Sequence, residues 1–317
     1  MLQYLIILLD DKSVSYCHYE LPSDVSREES LMPLDTLRAG IVFAMKENLN
    51  IQFVYPEQAL SAEYAEVIES IDHTKIKPEA QAKEADVLVL AEWKKQIPDD
   101  VEGATCIIRA SRKELQENLE QVKDLLGKVM RLNVVLTDIE AFKDEDVAGY
   151  QSLLEALSDL LIDQFKIGRM VQLNLLTDRL LLTQMNNCGA GDTTLSLAPN
   201  GKFYLCPAFY YDDPEQDVGN LKDGLNIKNR QLMRLDHAPI CRHCDAYQCK
   251  RCIWMNCRLT LDANTPSHQQ CVVAHVGRNA SRNLLKKMAE QGIHMSDTHE
   301  IKEINYLDPF NNYKKWK

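Results

Sequence analysis

Short apolar runs alternate with longer amphipathic segments through the first 180 residues of the chain. The runs have the length of buried strands, and the segments between them repeat apolar residues at helical spacing. Strands are predicted at 4–9, 52–55, 86–91, 104–109, 132–137 and 171–176. Helices are predicted at 34–48, 58–70, 111–129 and 144–166. Ser111, with Glu114 three residues later, is typical of a helix start. Six strands alternating with helices predict a parallel α/β fold.

Composition and charge narrow the class of protein. The chain has 317 residues, of which 45% are hydrophobic, and this size favours two domains. Its net charge of −11 argues against a nucleic-acid partner and against binding to an anionic membrane surface. The N-terminus lacks the cationic segment and cleavage site of a secretion signal, and no run has the length of a membrane span. We therefore expect a cytoplasmic protein whose thiols stay reduced.

The last third of the chain carries most of the candidate chemistry, because eight of its ten cysteines fall between residues 188 and 271. They are Cys188, Cys206, Cys241, Cys244, Cys249, Cys252, Cys257 and Cys271. Thiolates are soft ligands that suit iron–sulfur clusters or zinc, and one site takes about four of them. This pattern therefore predicts two metal sites formed by all eight cysteines.

Zinc remains open as an alternative to iron at these sites. A zinc ribbon usually separates its two CxxC pairs by about 15–20 residues, whereas four residues separate Cys244 from Cys249. Closely spaced thiolates still hold zinc in other arrangements. A histidine is also able to replace a thiolate, and His243, inside the CRHC segment, is the nearest candidate among His237, His243, His268 and His275. Cys106, inside an apolar run, is interpreted as a small buried hydrophobe.

The segment from Cys188 onward, CGAGDTTLSLAPNGKFYLCPAFYYDDPEQDVGNL, resembles the first half of a SPASM domain, the C-terminal extension of many radical-SAM peptide-modifying enzymes. Cys188, Gly201 and Cys206 match the first block of that family's pattern, and the CxxC and the last cysteine follow at Cys241, Cys244 and Cys271. Cys249 and Cys252 each come one residue short of the family's spacing, and Cys257 is additional.

The resemblance implies two auxiliary 4Fe-4S clusters. One would be held by Cys241, Cys244, Cys249 and Cys271, and the other by Cys188, Cys206 and one or both of Cys252 and Cys257.

The six predicted strands are similar in number to the partial barrel of the radical-SAM core, which normally precedes a SPASM domain. The family's CxxxCxxC motif after the first strand, which leaves one iron open to S-adenosylmethionine, is missing, since this region offers only Cys17. After the second strand, YPEQAL stands where the family has a GGEPL-like turn that contacts the methionine amine, and it keeps only Glu57. We therefore predict that the chain does not cleave S-adenosylmethionine.

Taken together, the chain resembles the CXXX repeat peptide maturases. The predicted fold class is a degenerate partial (β/α)6 barrel followed by a cysteine-rich SPASM-like domain. The predicted domains are 1–180, 181–280 and a C-terminal helix and tail at 281–317, with a helix at 273–291. The resemblance implies a cysteine-repeat precursor peptide as partner, and possible cooperation with a separate radical-SAM enzyme. Two functions follow: electron relay or peptide ligation by the clusters, or non-catalytic presentation of the peptide by a module folded around structural metal.

Overall fold

A computed structural model describes residues 1–21, 31–91, 93, 101–249 and 251–301. It divides into two compact units that are each built from two separate stretches of chain. Unit 1 comprises Met1–Ala91 and Gly189–Arg234, and unit 2 comprises Glu92–Cys188 and Leu235–Lys317. The domain boundaries predicted at 180 and 280 stay a prediction, and the tail after residue 301 lies outside the described residues.

Unit 1 is built on a mostly parallel sheet whose central strand is the apolar N-terminal run. Its strands lie in the order β9-β8-β1-β2-β3-β4, and β9 is antiparallel to β8. The bounds are β1 Tyr4–Leu8, β2 Asn50–Val54, β3 His73–Pro78, β4 Val87–Leu90, β8 Thr194–Leu197 and β9 Phe203–Tyr204, with a hairpin of β10 Gly219–Asn220 and β11 Gly224–Leu225. The helices are α1 Leu34–Glu47, α2 Ala62–Ile68 and α6 Pro207–Asp212. Four residues of the first apolar run are completely buried, namely Leu5, Ile7, Leu8 and Leu9, as a central parallel strand requires.

Unit 2 contains three parallel strands in the order β5-β6-β7, with bounds β5 Thr105–Ala110, β6 Arg131–Leu136 and β7 Gln172–Leu173. Its helices are α3 Arg112–Glu117, α4 Leu119–Leu126, α5 Val147–Lys166, α7 Ile253–Thr260 and α8 His268–Glu290. The helix α5 packs against α8. Ser281 in α8 also donates a hydrogen bond to the carbonyl of Leu176, which follows β7, at 2.7 Å. These contacts fix α8 within the unit.

The predicted α/β class is confirmed, and the differences from it have local causes. The six predicted strands all exist, and the predicted capping box at Ser111 and Glu114 is present. The helix predicted at 111–129 is divided at Asn118, whose φ of −115° and ψ of 29° are not helical. The strand β3 escaped prediction because only Ile76 and Pro78 along it are buried, so its sequence lacks an apolar run.

Helix α8 begins with a second capping box, formed by Ser267 and Gln270. The Ser267 hydroxyl accepts a hydrogen bond from the backbone N–H of Gln270 at 3.3 Å, and the Gln270 side chain accepts one from the backbone N–H of Ser267 at 2.9 Å. Replacing Ser267 with alanine should lower the free energy of unfolding by about 1 kcal/mol, because one backbone donor loses its partner. Denaturant unfolding of Ser267→Ala checks this. Ser152→Ala, at an exposed site within α5, is the control and should have a smaller effect.

Candidate metal centre

Helix α8 presents three polar residues on one buried face. Cys271, His275 and Arg278 are spaced four and three residues apart, so their side chains share one side of the helix. Their exposed fractions are 8%, 1% and 2% respectively. A cysteine, a histidine and an arginine on the inward face of a helix need polar or metal partners, because burial without them is costly.

The loop before α7 supplies one set of partners for this face. Cys241 lies in a single 3-10 turn, Cys241–His243, and Cys244 follows it. The Sγ of Cys244 lies 3.7 Å from Nε2 of His275. Ligand atoms of Cys244, Asp245 and His275 all lie within 4.8 Å of one another, and no other trio of Cys, His, Asp or Glu is that close in the described part of the chain. This arrangement brings potential ligands from the loop and from α8 together.

Two of the loop cysteines accept a backbone N–H from the residue two positions later. The backbone N–H of Ala246 points to Sγ of Cys244, at 3.4 Å. Cys249 similarly accepts a hydrogen bond from the backbone N–H of Arg251, two residues later. Hydrogen bonds to a sulfur stabilise its charged form and are one of the factors that tune iron–sulfur centres. This N–H contact, present at both sulfurs, suits two metal ligands.

Burial acts against the charge on these sulfurs. Burial raises the pKa of the Cys249 thiol, while the Arg251 backbone N–H and the guanidinium groups of Arg179 and Arg251 act to lower it. Burial likewise raises the pKa of Cys257, to which the nearby Asp262 carboxylate adds. A coordinated metal removes the proton from a thiol outright. The donor set therefore fits a soft metal or an iron–sulfur cluster better than it fits titrating thiols in solution.

A buried ion pair adjoins these residues. Arg278 donates from Nη1 to Oδ1 of Asp245 at 2.6 Å. The two side chains are 2% and 0% exposed. Arg278 also donates to Oδ1 of Asn279. The pair ties the segment after Cys244 to the same face of α8 that carries Cys271 and His275.

The remaining predicted site residues are distributed over both units. Cys252 is the residue before α7, and Cys257 lies in that helix. Cys188 ends the first stretch of unit 2, while Cys206 belongs to unit 1. All ten cysteines are described, and none forms a disulfide. Cys106 is completely buried in β5, in agreement with its interpretation as a small hydrophobe. Of the four histidines considered, His243 is exposed, as a surface residue would be, whereas His275 lies beside Cys244.

In unit 1, aromatic side chains fill the region after β1. The hydroxyl of Tyr210 donates to the carboxylate of Asp11. The rings of Tyr19 and Tyr211 stack with centroids 4.9 Å apart, and those of Tyr210 and Tyr211 lie 5.2 Å apart. Burial raises the pKa of Tyr19 and of Tyr211 well above the ordinary value. Cys17 lies near enough to Tyr19 for its charge to act on that pKa. The segment after the first strand is therefore packed with neutral phenols.

The turn after β2 is closed by a side chain of unit 1 itself. The amide nitrogen of Gln81 donates to the carbonyls of Pro56, Glu57 and Gln58 at 2.6, 3.3 and 2.9 Å. Glu57 is exposed. Gln81 therefore satisfies the carbonyls of this turn from within the unit.

Comparison with solved structures identifies the architecture. The chain is similar to the structure titled "Native anSMEcpe with bound AdoMet and Cp18Cys peptide", with a TM-score of 0.57 and 14% identity over 91% of this chain and 99% of that one. The corresponding structure with a Kp18Cys peptide gives a TM-score of 0.56 and 14% identity over 90% and 99% of the two chains. The chain has a radical-SAM-like fold. This level of identity supports the fold alone.

A lower similarity exists to Streptococcus suis SuiB bound to its precursor peptide SuiA, with a TM-score of 0.44 and 14% identity over 73% of this chain and 64% of that one. No protein-family model matches the chain, and no curated protein matches it. Within the described residues, none of the helices has the length and hydropathy needed to cross a membrane.

Proposed function

We propose that this protein is a component of a peptide-maturation system, in which it binds iron–sulfur clusters and does not itself cleave S-adenosylmethionine. The observation that carries the proposal is the convergence of the unit 2 loop on the buried face of α8. Cys244 lies beside His275, one helical turn from Cys271, and Asp245 is paired with Arg278 on the same face. A radical-SAM-like fold that also carries a cysteine-rich metal centre in unit 2 suits peptide modification.

The residues that would hold the first cluster are Cys241, Cys244, Cys249 and Cys271. Bound there with all four irons ligated, a 4Fe-4S cluster would supply one-electron transfer. The protein's own groups would bury it, donate backbone N–H groups to its sulfur ligands and offset its charge. A second cluster on Cys188, Cys206 and one or both of Cys252 and Cys257 remains part of the proposal on the basis of the SPASM-like spacing. With only one of the last two as a ligand, one iron would stay open to a substrate thiolate.

The proposed partners are a cysteine-rich peptide and a separate radical-SAM enzyme that cleaves S-adenosylmethionine. Two structures of similar fold contain bound peptides. The experiment is to purify the protein without oxygen, measure iron and sulfide, and titrate it with a synthetic cysteine-repeat peptide. Bound iron with matching sulfide, a paramagnetic signal on reduction and a change in that signal with peptide would support the proposal. Protein that contains no iron and does not bind the peptide would refute the proposal.

Two features of unit 1 support the expectation that S-adenosylmethionine is not cleaved. Gln81 supplies a nitrogen to the carbonyls of residues 56–58, where the family's turn contacts the methionine amine. Tyr19, Tyr210 and Tyr211 pack where the motif cysteines would follow β1.

We expect the reduced, iron-loaded protein to form no 5′-deoxyadenosine from S-adenosylmethionine. Chromatography of the reaction mixture would detect the product. The control is a radical-SAM enzyme assayed in the same buffer with the same reductant. Product formed in proportion to the protein, and abolished when its clusters are removed, would contradict this expectation.

A second candidate function is favoured by a specific observation. The close trio of Cys244, Asp245 and His275 has the mixed sulfur, nitrogen and oxygen donors that zinc accepts, within the reach of one ion. In that case metal would fold a peptide-presenting module without redox chemistry. Zinc without sulfide in protein purified without oxygen would favour this function over the first.

A further inference from the structure

A guanidinium group is buried in unit 2 without a matching carboxylate. Arg179 is 7% exposed and lies in the 3-10 segment Asp178–Leu181. Its Nη1 donates to the carbonyl of Leu175 at 2.6 Å. Over the described ranges, Arg179 forms no ion pair with a carboxylate, and its Nε has no hydrogen-bond partner. Arginine is rarely buried unless its charge is paired, so the guanidinium requires a counter-charge.

The neighbouring carboxylate of Asp178 directs Oδ2 to other groups, and its Oδ1 has no hydrogen-bond partner within the described residues. Oδ2 of Asp178 accepts hydrogen bonds from Nη2 of Arg131 at 2.6 Å and from Nε2 of Gln248 at 2.8 Å. The contact with Gln248 brings the residue before Cys249 against the residue before Arg179. That hydrogen bond places Arg179 and Cys249 on adjoining segments of unit 2. Burial lowers the pKa of Arg179, and the nearby charges of Tyr150, Cys249 and Asp178 act to raise it.

The guanidinium is seated on a glycine of α8. A Cβ added to Gly277 would lie 2.9 Å from Nη2 and 3.1 Å from Cζ of Arg179. Gly277 is buried in the interior of the 23-residue helix α8, where glycine lowers helix stability relative to alanine. A residue whose intrinsic preference conflicts with its secondary structure in this way is commonly found at a functional site. The guanidinium of Arg179 occupies the space that a side chain at Gly277 would fill.

We propose that the Arg179 guanidinium, seated on Gly277, is the counter-charge of an anionic iron–sulfur cluster attached to Cys249. The inference rests on the proposed function and names residues that set the cluster's reduction potential. Reduction adds an electron to the cluster, and a nearby cation stabilises the more negative form. Net charge and hydrogen bonds to sulfur are among the factors that set such potentials. Arg179 therefore raises the potential, and displacing it lowers the potential.

The test is a reductive titration followed by electron paramagnetic resonance on the anaerobically purified full-length protein. Arg179→Met removes the charge, and we expect at least a tenfold fall in the equilibrium constant for reduction, about 59 mV for one electron. Gly277→Ala keeps the charge but pushes the guanidinium away, and we expect a threefold or larger fall. Gly277→Ala also suits a helix better, so it keeps the test valid if Arg179→Met fails to fold.

The matched control is Gly149→Ala in α5, where an added Cβ meets nothing within 4 Å. It makes the same chemical change in a helix of the same unit, and we expect an unchanged potential. A loaded cluster whose potential is the same in Gly277→Ala and in the wild type overturns the inference, as does an equal shift in Gly149→Ala. Wild-type protein without iron and sulfide would instead remove the proposed function itself, and the inference with it.

Discussion

Replacing Cys244 with alanine should remove about four irons and four sulfides per chain. The sulfur lies 3.7 Å from His275 and accepts a backbone N–H, so it is the thiol whose surroundings most resemble those of a ligand. Three thiolates hold a 4Fe-4S cluster less tightly than four, so we expect the cluster to be lost during purification. Iron and sulfide analysis of Cys244→Ala purified without oxygen measures the effect.

Cys106→Ala is the matched control, because this cysteine is completely buried in β5 and should serve packing alone. It should retain the full iron content. His275→Ala separates the two candidate functions: a cluster on four cysteines survives that change, whereas a single zinc ion held by Cys244, Asp245 and His275 would be lost. Full iron in Cys244→Ala would contradict the proposed ligand set.

Arg278→Met should destabilise unit 2 by about 3–5 kcal/mol. The substitution leaves the carboxylate of Asp245, which is 0% exposed, without the guanidinium that now lies 2.6 Å away. A buried charge without a partner is far more costly than the loss of an exposed ion pair. Denaturant unfolding of the metal-loaded protein, followed by circular dichroism, measures the change in the free energy of unfolding.

Two further variants test the cause of that effect. Lys286→Ala breaks an exposed pair with Glu290 in the same helix and should cost less than about 1 kcal/mol. The double variant Arg278→Met, Asp245→Leu removes both charges and should recover much of the lost stability. A double variant no more stable than Arg278→Met would mean that packing around Arg278, and not the unpaired carboxylate, dominates.

The alternation of apolar runs and amphipathic helices was sufficient to predict the α/β class, because buried parallel strands must be apolar throughout. It did not reveal β8, which pairs in parallel with β1 although almost 190 residues separate the two. Pairing over such a distance depends on tertiary contacts that leave little local signal. The sequence also did not predict how the chain is divided between the two units, for the same reason. Unit 1 ends its first stretch at Ala91 and includes Gly189–Arg234 as its second stretch.

Spacing among the cysteines predicted a metal site, but it could not select the polar neighbours of that site. His243 is the nearest histidine in sequence because it stands between two candidate ligands, and the 3-10 turn leaves it exposed. His275 could have been found from its position four residues after Cys271, since residues at that spacing share a face of a helix. Arg179 carries no sequence signal at all, because its role depends on Gly277, which is distant in the chain.

The Gln81 amide has a consequence for protein engineering. On the proposed function, the carbonyls of residues 56–58 already accept hydrogen bonds from Gln81, and grafting three cysteines after β1 would leave those bonds in place. The Tyr210–Asp11 hydrogen bond and the stack of Tyr19 on Tyr211 would also have to be dismantled. Making this chain cleave S-adenosylmethionine on its own would thus require the removal of these contacts before cysteine ligands are added.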